Sequence, residues 1–374
     1  MEMPIKSVII ICEGDKLGRC TDHNQIIKSG WTELKIHSSC TKIIATLALG
    51  ISTSLSSYGA TQLTVPSKTR YAYDFATRLN KPESRPSSQM YFVGLDLHKV
   101  ISNDSKDFAT LVFQPYWVDA NNLKPFPGFL DNEDDGAIQW RNALIDFHLT
   151  GDRSVNLKAG HFELPFGAES LALDTNGTLR QLTSNLGLKV DWGLSVHGDT
   201  GDYEYEVAWT RGSGNDWKTG GDPGIWSGRL GRSRYHNMVW GLSWLNGDFW
   251  TPSGTVQKQR VGADFLIYHD RYRFIGDFST GSDMNLDRKY ALLEIAHESS
   301  DGMLDTYAQY RHQENELANS RTVTAQNLHL GIKWEPSLGL HLSAQWRVWG
   351  DVEPGSEPPE LFQLQFRKRI FGGM

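Results

Sequence analysis

From Tyr71 to Phe371 the chain alternates apolar and polar residues with a period of two, in segments of about ten residues. Leu188, Val190, Trp192, Leu194 and Val196 share one face of such a segment, and Lys189, Asp191, Ser195 and His197 occupy the other. Leu340, Leu342, Ala344, Trp346 and Val348 alternate in the same way with His341, Ser343, Gln345 and Arg347. Successive side chains of a strand point to opposite faces, so each segment has one apolar and one wet face. The pattern predicts strands near 68–79, 89–101, 107–118, 138–150, 153–163, 187–198, 201–211, 225–232, 235–246, 257–269, 271–280, 287–298, 303–314, 323–335, 338–350 and 361–371, sixteen in all.

Short polar turns are expected at 102–106, 151–152, 199–200, 233–234, 269–270, 299–302 and 336–337. Longer links are expected between them, at 81–88, 119–138, 168–186, 212–224, 247–256, 281–287, 316–322 and 351–360. A soluble sandwich has no reason to alternate short and long connections. An outer-membrane barrel does, with short periplasmic turns, long outer loops and an even strand number. The expected fold class is therefore all-β, a transmembrane antiparallel barrel of about sixteen strands. Trp209, Trp244, Trp334 and Trp346 fall on the predicted lipid face and read as interfacial girdles.

The first sixty residues read differently. Lys35 and Lys42 precede an apolar stretch at 43–51, which is followed by small residues up to Ala60. That order of basic, apolar and small is the order of a secretory signal, with cleavage expected near 57–60. Residues 1–33 lie ahead of it, either as an overextended start or as a long basic region. The expected organisation is an N-terminal extension plus signal peptide over 1–60 and one barrel domain over 61–374.

Composition narrows the classes further. The net charge is −7 and mean hydropathy is −0.43. No apolar run after residue 60 approaches the ~20 residues of a membrane helix, whereas a barrel with a polar lumen spans lipid while staying hydrophilic on average. The acidic balance and the lack of a basic stripe exclude a nucleic-acid partner. All three cysteines (Cys12, Cys20, Cys40) precede residue 61, so the body holds no disulfide framework, thiol nucleophile or thiolate metal site. The acidic run Asp131-Asn132-Glu133-Asp134-Asp135 misses the spacing of a helix–loop–helix calcium site, and no histidine pair suggests zinc. No cofactor or metal is expected, and no nucleophile elbow suggests an enzyme.

If the apolar faces meet lipid, the opposite faces line a lumen. Lys158, Lys189, Arg260, Lys333 and Arg347 are its candidate cations and Asp191 and Asp264 candidate anions, with Arg70, Asp74, Asp96, Asp146, Glu204, Glu206, Arg367 and Arg369 on the same parity. The near balance of signs implies no ion selectivity by itself.

The segment Leu157-Lys158-Ala159-Gly160-His161-Phe162-Glu163-Leu164-Pro165-Phe166-Gly167 resembles the phosphate-selective porin family of the O and P type, matching at Gly160, Phe162, Pro165, Phe166 and Gly167. The resemblance implies that the link 168–186, with Glu169, Asp174 and Arg180, folds into the barrel and narrows it. That loop lacks the basic cluster of phosphate-selective members. Phe371 is the candidate terminal aromatic for barrel-assembly machinery, although Gly372, Gly373 and Met374 follow it.

The expected function is an outer-membrane porin, a water-filled channel for passive diffusion of small solutes and of anions such as phosphate. Its expected partners are outer-membrane lipid and lipopolysaccharide, the assembly machinery, and two further copies in a homotrimer. An outer-membrane barrel enzyme and a soluble β-sandwich carbohydrate-binding protein are the alternatives.

Overall fold

The computed structural model describes residues 68–83, 86–102, 107–121, 137–168, 179–180, 189–217, 224–251, 254–349 and 360–373. The segment 1–60, the run Asp131–Asp135, Glu169 and Asp174 lie outside the described residues. Sixteen strands follow one another: β1 (Thr69–Pro82), β2 (Ser88–Ser102), β3 (Asp107–Asn121), β4 (Ala137–His148), β5 (Asn156–Glu163) and β6 (Val190–Asp199). Next come β7 (Tyr203–Thr210), β8 (Ile225–Arg232), β9 (Met238–Thr251), β10 (Gly254–His269) and β11 (Tyr272–Asp283). The last five are β12 (Leu286–Glu298), β13 (Leu304–Glu316), β14 (Thr322–Ser337), β15 (Leu340–Trp349) and β16 (Glu360–Gly373).

Each strand pairs antiparallel with its sequence neighbours, and β1 pairs with β16 from Arg70↔Gly373 to Pro82↔Leu361, closing the barrel. Closure leaves no edge strand, the condition for a sheet in lipid.

The period-two pattern sorts the faces as expected. Leu328, Leu330, Ile332 and Trp334 of β14 are exposed on the outer face, whereas Asn327 and His329 are buried within. Trp240, Leu242 and Trp244 stand outside on β9, and Val239, Ser243 and Leu245 inside. On β16 the outer row is Phe362, Leu364 and Phe366. Phe371 does not continue that row. It shares the parity of Arg369, whose guanidinium lies 5.1 Å from its ring centroid.

Two of the expected long links are short. Residues 247–251 belong to β9 and 254–256 to β10, so only 252–253 connect them. The link expected at 281–287 is a two-residue turn, with Met284 and Asn285 both at positive φ (48° and 66°). Positive φ at both central residues matches the right-handed twist of a hairpin. The turn-forming residues around them, Gly281, Ser282 and Asp283, sit in the ladder opposite Arg260, Gln259 and Lys258.

Candidate functional site

The interior is shaped by what happens after β5. Leu164 N donates to Lys189 O (2.8 Å) as the last ladder bond, and Phe166 N donates to Leu164 O (2.8 Å) in a tight turn. Pro165 has no N–H to continue the ladder, so the chain leaves the wall there. Gly167 has φ +71°, and a Cβ on it would stand 2.5 Å from Asp277 Oδ2, so only glycine allows this approach. Gly167 N then donates to Ser243 Oγ of β9 (3.0 Å) and Ala168 N to Asp277 Oδ2 of β11 (3.2 Å). Leu164 and Phe166 pack on Ile225, Leu245 and Phe249, while Ala168 packs on Val239, Leu266, Ile275, Tyr290 and Leu292. The residues after Gly160 and Phe162 therefore cross from β5 onto the inner faces of β8–β12.

Arg180 reaches further. Its guanidinium donates from Nη2 to both oxygens of Asp305 (2.9 Å each), has Nε 3.5 Å from Glu294, and stacks 4.4 Å from the Tyr307 centroid. Asp305 and Tyr307 are on β13, eight strands from β5 and so half-way around the sixteen. Its side chain is only 4% exposed, so this is a desolvated, multiply bonded cation of the kind whose removal is costly.

The other sequence candidates fall into distinct settings. Lys158 donates to Glu206 (2.7 Å), which also accepts from Ser195 (2.7 Å). Asp264 is locked to Arg229 (2.7 and 3.0 Å), and Arg229 bridges to Glu204 (3.0 Å), which Arg234 also holds (3.0 Å). Arg260 donates to Asp283 (2.6 Å) and to the carbonyls of Gln259 and Ser282. Asp191 faces no open water, because its carboxylate accepts from the backbone N–H groups of Trp192, Gly212, Ser213 and Gly214. Lys189 and Arg347 are buried, and Lys333 sits toward the turn end of β14, 3.6 Å from Glu335. Lys158 and Asp264 thus stand beside the inward segment, whereas Lys333 stands apart from it.

Several residues that organise the interior were not picked out by sequence. Tyr116 Oη lies 3.1 Å from Asp74 and 2.9 Å from Asp96, which Arg367 and Arg369 also engage. Tyr307 donates to Gln345 (2.7 Å), which continues to Gln363 (3.0 Å) and Asn80 (2.7 Å). The parity of Arg229 opposite Trp226 and Leu230 is a readable signal. Glu294 gives none, because Leu292 and Leu293 are apolar on both faces of β12.

On the turn side of the inward segment lies a cavity of about 690 Å³, lined among others by Asp146, Lys158, Pro165, His197, Glu204, Glu206 and Arg229. Several of its charges are held in pairs, Lys158 with Glu206 (2.7 Å), Arg229 with Glu204 (3.0 Å) and His197 with Asp146 (2.9 Å). The loop-side half of the wall differs. Over β9–β16, β1 and β2 it carries Arg78, Lys258, Arg260, Arg288, Arg311 and Arg347 on the inward parity, with Asp283 the one strand carboxylate of that parity among the described residues. Asp283 is shared by Arg260 (2.6 Å), Arg288 (3.1 Å) and Lys258 (4.0 Å). Among the described residues no group of three or more His, Cys, Asp or Glu side chains is placed to hold a metal ion.

No protein-family model matches the chain, and no curated protein sequence does. Solved outer-membrane barrels are similar to it. A loop L8 deletion mutant of OmpT, an outer membrane protein of Vibrio cholerae, superposes with TM-score 0.60 at 10% identity, covering 81% of this chain and 99% of that one. OmpF of Salmonella typhi in complex with daunomycin gives 0.59 at 8% identity, covering 81% and 98%. An anion-selective porin from Comamonas acidovorans gives 0.57 at 10% identity, covering 82% and 100%. At such identities the likeness is one of fold, the bacterial porin barrel, and shows nothing narrower.

Proposed function

We propose that this chain is a Gram-negative outer-membrane porin, exported by the signal peptide within 1–60, that passes small solutes by passive diffusion and performs no covalent chemistry. The carrying observation is the closed barrel whose strands turn apolar residues outward and charged residues inward, with the segment after β5 anchored across its interior. The polar inner wall supports a water-filled path, and the anchored segment supports a narrowing of that path at Lys158, Arg180 and their partners. Glu169 and Asp174 belong to the same proposed constriction.

Small anions, phosphate among them, are the favoured solutes. Six loop-side cations against one strand carboxylate attract anions into the entrance, while turn-side Lys158, Arg229 and His197 are each paired with a carboxylate. Assembly as a homotrimer, with lipid and lipopolysaccharide around it and insertion by the barrel-assembly machinery, belongs to the same reading. OmpT of Vibrio cholerae has been solved in a trimer form, which supports the first of these. Cell fractionation with heat-modifiable gel migration, followed by liposome swelling with graded sugars and phosphate, tests the proposal. Recovery as a soluble periplasmic monomer, or liposomes impermeable to every solute, would reject it.

A further inference from the structure

The barrel wall is not equally tall all round. β5, β7 and β8 have 8 residues each and β6 has 10, whereas β1, β2, β3, β9 and β10 have 14–16. Eight residues rising about 3.4 Å each and tilted about 45° cover roughly 19 Å, short of the roughly 25 Å apolar band of an outer-membrane barrel. The inward turn after Glu163 also strips β4 of its partner above Ala143, because the β4–β5 ladder ends at Ala143↔His161.

Residues 211–217 fill this notch. Arg211 N extends the ladder onto Trp192 O (2.9 Å), and Gly212 O accepts from Trp250 N of β9 (2.8 Å). The Asp191 carboxylate then collects the N–H groups of Gly212, Ser213 (3.1 Å) and Gly214 (3.1 Å), with both glycines at positive φ. Asn215 lands on the uncovered stretch of β4 as a strand would, accepting from Trp140 N (2.7 Å) and donating to Ile138 O (3.3 Å). From β7 to β4 is three strand spacings, roughly 14 Å, and the contacts of Arg211 with Trp192 and of Asn215 with Trp140 and Ile138 mark the two ends of that crossing. Trp192 clamps the far side, with Nε1 donating to Asn215 O (3.0 Å) and its ring 5.9 Å from Trp217.

We propose that residues 211–217 are a strap that completes the barrel wall on its low side and keeps lipid out of the interior, with Asp191 and Asn215 as its positioning residues. Leu164, 4% exposed, starts the inward segment and packs with Phe166, Ile225, Leu245 and Phe249; under this proposal it stands behind the strap. The strap's role rests on the outer-membrane placement of the barrel and is the same whichever solute passes.

The test places a bimane on Leu164→Cys in the full chain, with Cys12, Cys20 and Cys40 replaced by serine, reconstituted in vesicles of phosphatidylcholine brominated high on its chains. The expected result is weak quenching in the parent, and at least twofold stronger quenching with Asp191→Ala or Asn215→Ala. A second probe on outward Leu330→Cys should be quenched equally in all variants, which establishes insertion. Should Asp191→Ala fail to fold, Asn215→Ala, which removes only loop contacts to β4, carries the test alone. Unchanged Leu164→Cys quenching in an inserted Asn215→Ala barrel would overturn the proposal.

Discussion

Replacing Asp305 by alanine should loosen the anchored segment without opening the barrel. Asp305 holds Arg180 through two 2.9 Å bonds and lies 3.5 Å from Arg273, so its loss leaves two guanidinium groups to share Glu294. Two unit charges about 4 Å apart interact by ~4 kcal/mol at an effective dielectric of about 20. Asp305 is 20% exposed and Arg180 retains Glu294 and the Tyr307 ring, which brings the expected loss down to about 2–3 kcal/mol. A loss of that size raises the ratio of released to anchored segment by roughly 100-fold. Single-channel recording is the assay, and the expected result is larger open-channel noise and frequent substates with the same unit insertion. Arg180→Ala should behave alike. A double-mutant cycle on urea midpoints should return a coupling near 2 kcal/mol. Recordings of Asp305→Ala indistinguishable from the parent, with a coupling below about 0.5 kcal/mol, would refute the latch.

Other outcomes follow from single contacts. Gly331→Ala places a Cβ 2.1 Å from the Tyr307 ring, so it should displace Tyr307 from Gln345, cost about 1–3 kcal/mol and lower the temperature of the gel-mobility shift. Arg180→Glu and Lys189→Glu should move the zero-current potential under a salt gradient toward cations, and Lys289→Glu, whose side chain is 60% exposed, should move it far less. In the turn before β5, hydrogen bonds from Thr150 and Ser154 hold the Asp152 carboxyl down at about 2. A depressed carboxyl stabilises the fold above its unfolded value near 3.9 and loses that contribution as pH falls toward 2. Asp152→Asn should therefore flatten acid destabilisation between about pH 4 and 2, read from urea midpoints across that range.

Strand number and face were legible because lipid and water impose opposite demands on alternate residues. Even the short segment 225–232 matches β8 at both ends. The alternation failed as a guide where the barrel wall meets its own inward segment. Tyr290 and Leu292 point inward yet are apolar, because they cover Ala168, and this hides Glu294 between them and Ala296. Parity assigns a charge to a face but not to a partner. Asp264 and Asp191 looked equivalent, yet one binds Arg229 and the other a row of backbone amides. Turn chemistry misled at Gly281–Asp283, where turn-prone residues continue the ladder and Met284–Asn285 make the turn.

Conductance of the refolded full-length protein in a planar bilayer under a tenfold potassium chloride gradient bears most directly on the central claim. A water-filled barrel with a cationic loop-side wall predicts stable stepwise currents and a zero-current potential of the sign set by chloride. Arg347→Glu, which reverses one charge of that wall, should move this potential toward potassium. Absence of stepwise current from protein that inserts and shows heat-modifiable migration would contradict the channel, and a potential set by potassium in the parent would contradict the anion preference.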